Sequence, residues 1–233
     1  MSSADRQRSG RALSLRLALL ALLFYTCVIM IKASMFACSW ASQPSFAGLS
    51  FKTCLALAQT FGYAAGKVPS MIYSPKLPQS RLRGALIAVV VAAGSCVCLS
   101  CITPPAISLA LVALCCACLA PVWSVLQRFL EGRQDTELIL AVVSFSYIGG
   151  SGLVKGIAVD LLALGLTDPQ ATAVCAALGG GIGVAAAVGV AAQPSPSAAD
   201  VEKRGRRKEM TSYRAECGKL TSEFGLGSAL SGI

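Results

Sequence analysis

The sequence predicts an all-α, polytopic membrane protein with six transmembrane helices, and three observations predict it. Charged residues fill only 13% of the 233 positions and hydrophobic ones 55%, against roughly 25% charged in an average globular chain. The apolar residues stand in blocks close to the roughly 17–25 residues that cross about 30 Å of hydrocarbon as helix, and they lack the amphipathic periods of a soluble core. Lysine and arginine gather between alternate blocks, as cytoplasmic loops require. A soluble Ala-rich bundle of this composition would lack the polar surface to cover itself. The net charge of +9 follows topology, so the expected partner is the lipid bilayer and not nucleic acid.

Residues 1–11 are polar and basic, with Arg6, Arg8 and Arg11 against the single acid Asp5. A targeting role for this start stays open, but the apolar run behind it, Ala12 to about Ala33, exceeds the roughly 7–15 residues of a signal-peptide centre. That run is the first span. After an uncharged loop at 34–50, the second span covers 51–73, where Lys52, Gln59, Tyr63 and Gly66 share one face. Gly62 and Gly66 form a G-x-x-x-G that lets another helix approach closely. The basic loop 74–84 carries Lys76, Arg81 and Arg83, and the third span runs over 85–102 to the turn Thr103-Pro104-Pro105. The fourth span, 106–129, is expected to kink at Pro121. A charged hairpin, Arg128 to Glu137, leads into the fifth span at 138–165, whose length a tilt absorbs.

Thr167-Asp168-Pro169 reads as a helix start with Asp168 as N-cap and Pro169 at the first helical position. The sixth span, 170–192, holds Gly-Gly-Gly-Ile-Gly at 179–183 and needs close neighbours. The six-helix domain is thus 12–192. Residues 193–233 form a polar, basic tail expected to be disordered, and its Lys203–Lys208 stretch suits anionic headgroups. The basic segments all fall on one side, which puts both termini in the cytoplasm.

The eleven cysteines lie mainly inside apolar runs, where cysteine behaves as a small hydrophobe. Cys98 and Cys101 make a C-x-x-C, but the chain has no histidine and no second pair at zinc spacing. No metal and no cofactor is expected. No thiol has a histidine partner to activate it, and neither a phosphate-cradling loop nor an intramembrane carboxylate pair is present, so no catalytic residue and no enzyme is expected.

A solute site is a better fit. Ser144, Tyr147, Ser151 and Lys155 recur at helical spacing on the fifth span, with Glu137 on the same stripe. A cation inside a bilayer is by default a functional-site hypothesis. Lys52, with Gln59 and Tyr63 on its own stripe, is its companion across the vestibule, and two cations there favour an anionic solute. Asp160 points to the opposite face and is not paired with Lys155. At the inner face, Arg128, Glu131, Arg133, Asp135 and Glu137 stand within reach of Arg81 and Arg83. Together they would latch that side; singly, exposed ion pairs are worth only about 0–1 kcal/mol, and a plain solvated turn is the other reading.

Three stretches carry a family resemblance. Phe129-Leu-Glu-Gly-Arg133 followed by Thr136-Glu137, then Ser151-Gly-Leu-Val-Lys155, and Ala58-Gln59 through Gly62-Tyr63 to Lys67 are similar to segments of an uncharacterised family of multi-spanning proteins related to the major facilitator superfamily. The likeness covers roughly 25–165. Two positions depart from it: Lys32-Ala33-Ser34 stands where that family has Arg-Lys-Pro, and Gly66 where it has Ser. The resemblance implies a transporter-type fold of two six-helix halves, each built of three-helix repeats. By that reading the chain is one half. It either dimerises to complete a pathway, or is a truncated or non-transporting protein that binds partner membrane helices, for which the Gly-rich sixth span is suited.

Overall fold

A computed structural model describes residues 3–46, 48–130 and 136–193, with side chains from Leu15 onward except at 75, 79 and 80. Seven α-helices follow one another among these residues: α1 (Ser3–Ala33), α2 (Phe51–Tyr73), α3 (Gln79–Ser100), α4 (Pro105–Leu119), α5 (Val122–Leu130), α6 (Thr136–Ala163) and α7 (Asp168–Ala191). Short 3₁₀ turns extend α1 through Ser34–Phe36 and α2 through Ser74–Lys76. The described residues contain no strand, only a lone bridge between Phe46 and Leu49 where Gly48 takes a positive φ of 79°.

Five segments are long and apolar enough to cross a membrane: Leu15–Phe36, Arg81–Ser100, Pro105–Leu130, Thr136–Ala163 and Asp168–Ala191. The fourth is α4 and α5 in series. Helix breaks at Ala120 and Pro121, since proline lacks the N–H and clashes with the preceding turn. The expected six spans are therefore matched by five on length and composition. The exception is α2, which has 23 residues, Pro69 within it, and Lys52 and Lys67 among its side chains.

The N-cap of α7 also differs from expectation. Thr167 is the N-cap, its backbone N–H donating to Gln170 Oε1 at 2.9 Å. Asp168 instead accepts from the Trp40 N–H at 2.6 Å and the Ser39 hydroxyl at 3.2 Å. It thereby fixes the loop after α1, where Trp40 sits at a positive φ of 55° with its indole N–H on the Met35 carbonyl.

Helix packing is set by small residues. A Cβ added at Gly62 would lie 2.8 Å from Ala113 Cα, and one at Gly66 would lie 2.7 Å from Ala117 Cα, so α2 rides directly on the backbone of α4. Gly179 of α7 meets the Cys27 carbonyl of α1 in the same way, and Gly183 meets the side chains of Cys27 and of Val90 on α3. Without a hydrophobic drive between helices in lipid, such close approach is what holds spans together.

The principal pairings are α1 with α7, α1 with α6, α2 with α4, α3 with α4 and α3 with α7. Exchanging the first span with α4–α5, α2 with α6, and α3 with α7 leaves this set unchanged. Contact order gives direction: Gly62 and Gly66 meet Ala113 and Ala117 in parallel, whereas α7 crosses α1 antiparallel, Gly179 at Cys27 and Gly189 at Leu20. The two three-helix sets thus run in opposite senses. Their buried core is centred on Leu17, Phe24 and Ile31 of α1, Leu86 and Val90 of α3, Leu126 of α5 and Ile139 of α6.

Candidate solute site

Side chains on a helix lean toward its N-terminus, so a lysine near the end of α1 points back into the bundle. Lys32 does this. Its Nζ stands 5.6 Å from the ring centroid of Tyr63 on α2 and 5.6 Å from that of Tyr147 on α6. Tyr147 lies 6.4 Å from Tyr25 of α1, and Tyr25 meets Trp123 of α5 edge-on at 5.4 Å. The phenol groups of Tyr25, Tyr63 and Tyr147 are within electrostatic reach of one another. One cation and an aromatic wall therefore gather where α1, α2, α5 and α6 meet.

Among the described residues Lys32 has no carboxylate partner. The described acids, Glu137, Asp160 and Asp168, stand in the first turn of α6, near the end of α6 and at the start of α7. Two tyrosine faces stand in for a counterion, each worth about 0.5–2 kcal/mol depending on desolvation. That attraction holds the ammonium without neutralising it, so its charge stays available to an anion.

The helix wheel of α2 divides three ways. Phe51, Leu55 and Gly62 are buried against the bundle, and Leu57, Phe61, Val68 and Ile72 are exposed on an apolar flank. Lys52, Gln59, Tyr63 and Lys67 take the flank between, all half-buried. On that flank Tyr63 meets Lys32, which also reaches Tyr147 of α6. On α6, Ile139, Val143 and Val154 are buried, and Tyr147, which Lys32 brings toward Tyr63, is followed on its stripe by Ser151 and Lys155.

Of the site residues expected from sequence, Tyr63 and Tyr147 come together through Lys32. Ser151 is half-buried one turn from Tyr147. Gln59 is one turn from Tyr63. Lys155 is exposed and eight positions beyond Tyr147, about 12 Å along the axis, and Lys52 is eleven before Tyr63, about 16 Å. These two lysines flank the cluster without joining it. The cleft's central cation, Lys32, and the rings of Tyr25 and Trp123 went unselected in the sequence, although Tyr25 and Lys32 are seven apart and share a face.

At the Ser74 end of α2, Arg128 donates to the Ser74 carbonyl, and the Ser74 and Ser124 hydroxyls are 3.1 Å apart. Among the described residues no ion pair joins Arg81, Arg128 and Glu137, and Arg81 and Glu137 are exposed. Glu131 and Arg133 lie outside the described residues. Gly179 and Gly183, expected to receive a partner helix, are used inside the bundle, while Gly180 and Gly181 have open space beside them. No group of three or more metal-ligating side chains occurs among the described residues.

No curated protein and no solved structure matches the chain. A family model does, over residues 16–231, which takes in α2 to α7 whole and α1 from Arg16. The chain belongs to a family of unknown function, DUF5690.

Proposed function

We propose that this protein is a six-helix half of a major-facilitator-type permease, with α2 as its sixth span and both termini cytoplasmic, handling a small anionic solute at Lys32. The observation that carries the reading is Lys32 itself: a cation between the rings of Tyr63 and Tyr147, with no acid beside it among the described residues. An intramembrane charge held in this way is costly unless it meets a ligand or water. The exchange symmetry of the helix pairings supports the architecture, because three-helix repeats of opposite sense are how such halves are built. Lys52 and Lys155 then serve as outer cations that draw the anion toward the cleft.

Trp123 reports on the site through Tyr25. Purified protein titrated with chloride, acetate, benzoate and inorganic phosphate should change Trp123 emission for the anion it takes. Lys32→Gln should weaken that titration by roughly ten- to 150-fold, the equivalent of the about 1.5–3 kcal/mol of a hydrogen bond to a charged group. Lys52→Gln and Lys155→Gln should change it less. An unchanged midpoint in Lys32→Gln would refute the assignment.

A further inference from the structure

We propose that Lys67 is a second anion station in the same cleft, to which an anion held at Lys32 is passed one helical turn further along α2. The inference rests on the solute-site reading above and adds a step to it. Lys67 is four positions beyond Tyr63, on the same flank of α2, and is half-buried. It stands six positions before the end of the helix at Tyr73, about 9 Å along the axis.

Direction distinguishes a station from an interfacial anchor. Lysines near a helix end normally extend their stems to the nearest headgroups. For Lys67 that end is the C-terminal one, whereas the Cα–Cβ bond tilts the side chain toward the N-terminus, away from that interface. Lys32 leans the opposite way across the membrane, because α1 and α2 are joined by the loop at 37–50 and run in opposite senses. The two side chains therefore lean into the bundle from opposite sides, Lys67 one turn beyond the Tyr63 that Lys32 meets. α2 has no acidic residue to neutralise either.

The stripe continues past Lys67 through Ser70 to Ser74, where Arg128 and Ser124 from α5 are bound. Lys32, Lys67 and Arg128 thus succeed one another toward the end of the cleft. A single strong site would bind an anion and keep it. Successive sites of one charge each let it enter and leave.

The test uses a Trp40→Phe background, in which Trp123 is the sole tryptophan of a chain that has two, and the full-length protein in detergent and in liposomes. Chloride, acetate, benzoate and inorganic phosphate are titrated against Trp123 emission, and uptake of the same radiolabelled anions is measured. Lys67→Gln should leave the binding midpoint within about twofold and lower uptake at least tenfold, and Lys67→Arg should restore uptake, which a folding defect would not allow. Lys67→Gln uptake equal to the parent's, with uptake lost in Lys32→Gln, overturns the relay alone. A midpoint weakened by Lys67→Gln as much as by Lys32→Gln also overturns it, making both lysines one site. If none of the four anions moves Trp123 emission, the solute-site reading falls with it.

Discussion

The seam between α2 and α4 gives the most direct test of the architecture, because both the perturbation and the distance are defined. Gly62→Ala places a Cβ 2.8 Å from Ala113 Cα, and Gly66→Ala places one 2.7 Å from Ala117 Cα, where ordinary contact begins at 3.4 Å. The carbonyl oxygens of Ala113 and Ala117 lie nearer still to the added atoms, so the helices must move apart by about 1 Å or more. The obstacle is backbone, so no side-chain rotation relieves it. Overpacking of this kind costs about 1–3 kcal/mol, and the lost van der Waals contact along the seam adds to it. Gly180→Ala and Gly156→Ala are the controls, since their added Cβ meets nothing within 4 Å; helix propensity alone would favour them by about 0.8–1 kcal/mol. Thermal unfolding in a mild detergent, followed by loss of the monodisperse size-exclusion peak, should place Gly62→Ala and Gly66→Ala below the parent and both controls at or above it. If Gly62→Ala and Gly66→Ala melt with the parent, or if the controls fall equally, α2 does not ride on α4 as described.

Three further outcomes follow from particular contacts. Asp168→Ala removes the acceptor of the Trp40 N–H and the Ser39 hydroxyl, a charged hydrogen-bonding set worth about 1.5–3 kcal/mol; the thermal midpoint should fall, and proteolysis should begin in the 37–50 loop. Pro121→Ala restores an N–H at the break between α4 and α5; straightening there should move Trp123 off Tyr25, read as a shift in Trp123 emission. Burial pushes the Cys38 thiol above its ordinary value, with the Asp168 carboxylate adding to the shift and the Thr172 hydroxyl and Lys52 opposing it. The thiolate fraction therefore grows only as pH rises well past the usual range, so maleimide labelling of Cys38 should be slow at neutral pH. Asp168→Asn should bring labelling to lower pH.

The helices were legible because their signals are local. Proline at 104–105 and at 121, and the apolar blocks themselves, mark the end of α3, the break between α4 and α5 and the ends of α7 within about two residues, whereas α3 begins at Gln79, inside the stretch 74–84 expected as a basic loop. The close approach of another helix at Gly62 and Gly66 was legible for the same reason, as a spacing on one helix. The site was half legible. Tyr63 and Tyr147 stood out as polar positions on helical stripes, whereas the cation between them did not, because Lys32 sits at the end of the first apolar run, where a stem reaching the interface explains a lysine. Only the tertiary meeting of α1, α2 and α6 turns that terminal lysine inward. Asp168 shows the reverse error: its position before Pro169 fits a cap, but the loop after α1 presents backbone and hydroxyl donors that compete for the carboxylate.

α2 shows why an averaged hydropathy and a structure disagree about the same helix. Averaged over its length, Lys52, Gln59 and Lys67 remove it from the set of candidate spans, yet it runs beside a full span, from Phe51 against Trp40 at one end to Ser74 against Ser124 at the other. What the average loses is sidedness. A lysine at the centre of a lipid-facing helix costs about 2.5–3.5 kcal/mol, but the polar side chains of α2 occupy one flank, the exposed Leu57, Phe61, Val68 and Ile72 occupy another, and Gly62 docks the third. Such a helix is tolerable only with its polar flank turned from lipid, and the flank it turns inward is the one that meets Lys32 and Tyr147. The polarity that keeps α2 out of the set of apolar helices is therefore carried by the flank on which Tyr63 meets Lys32.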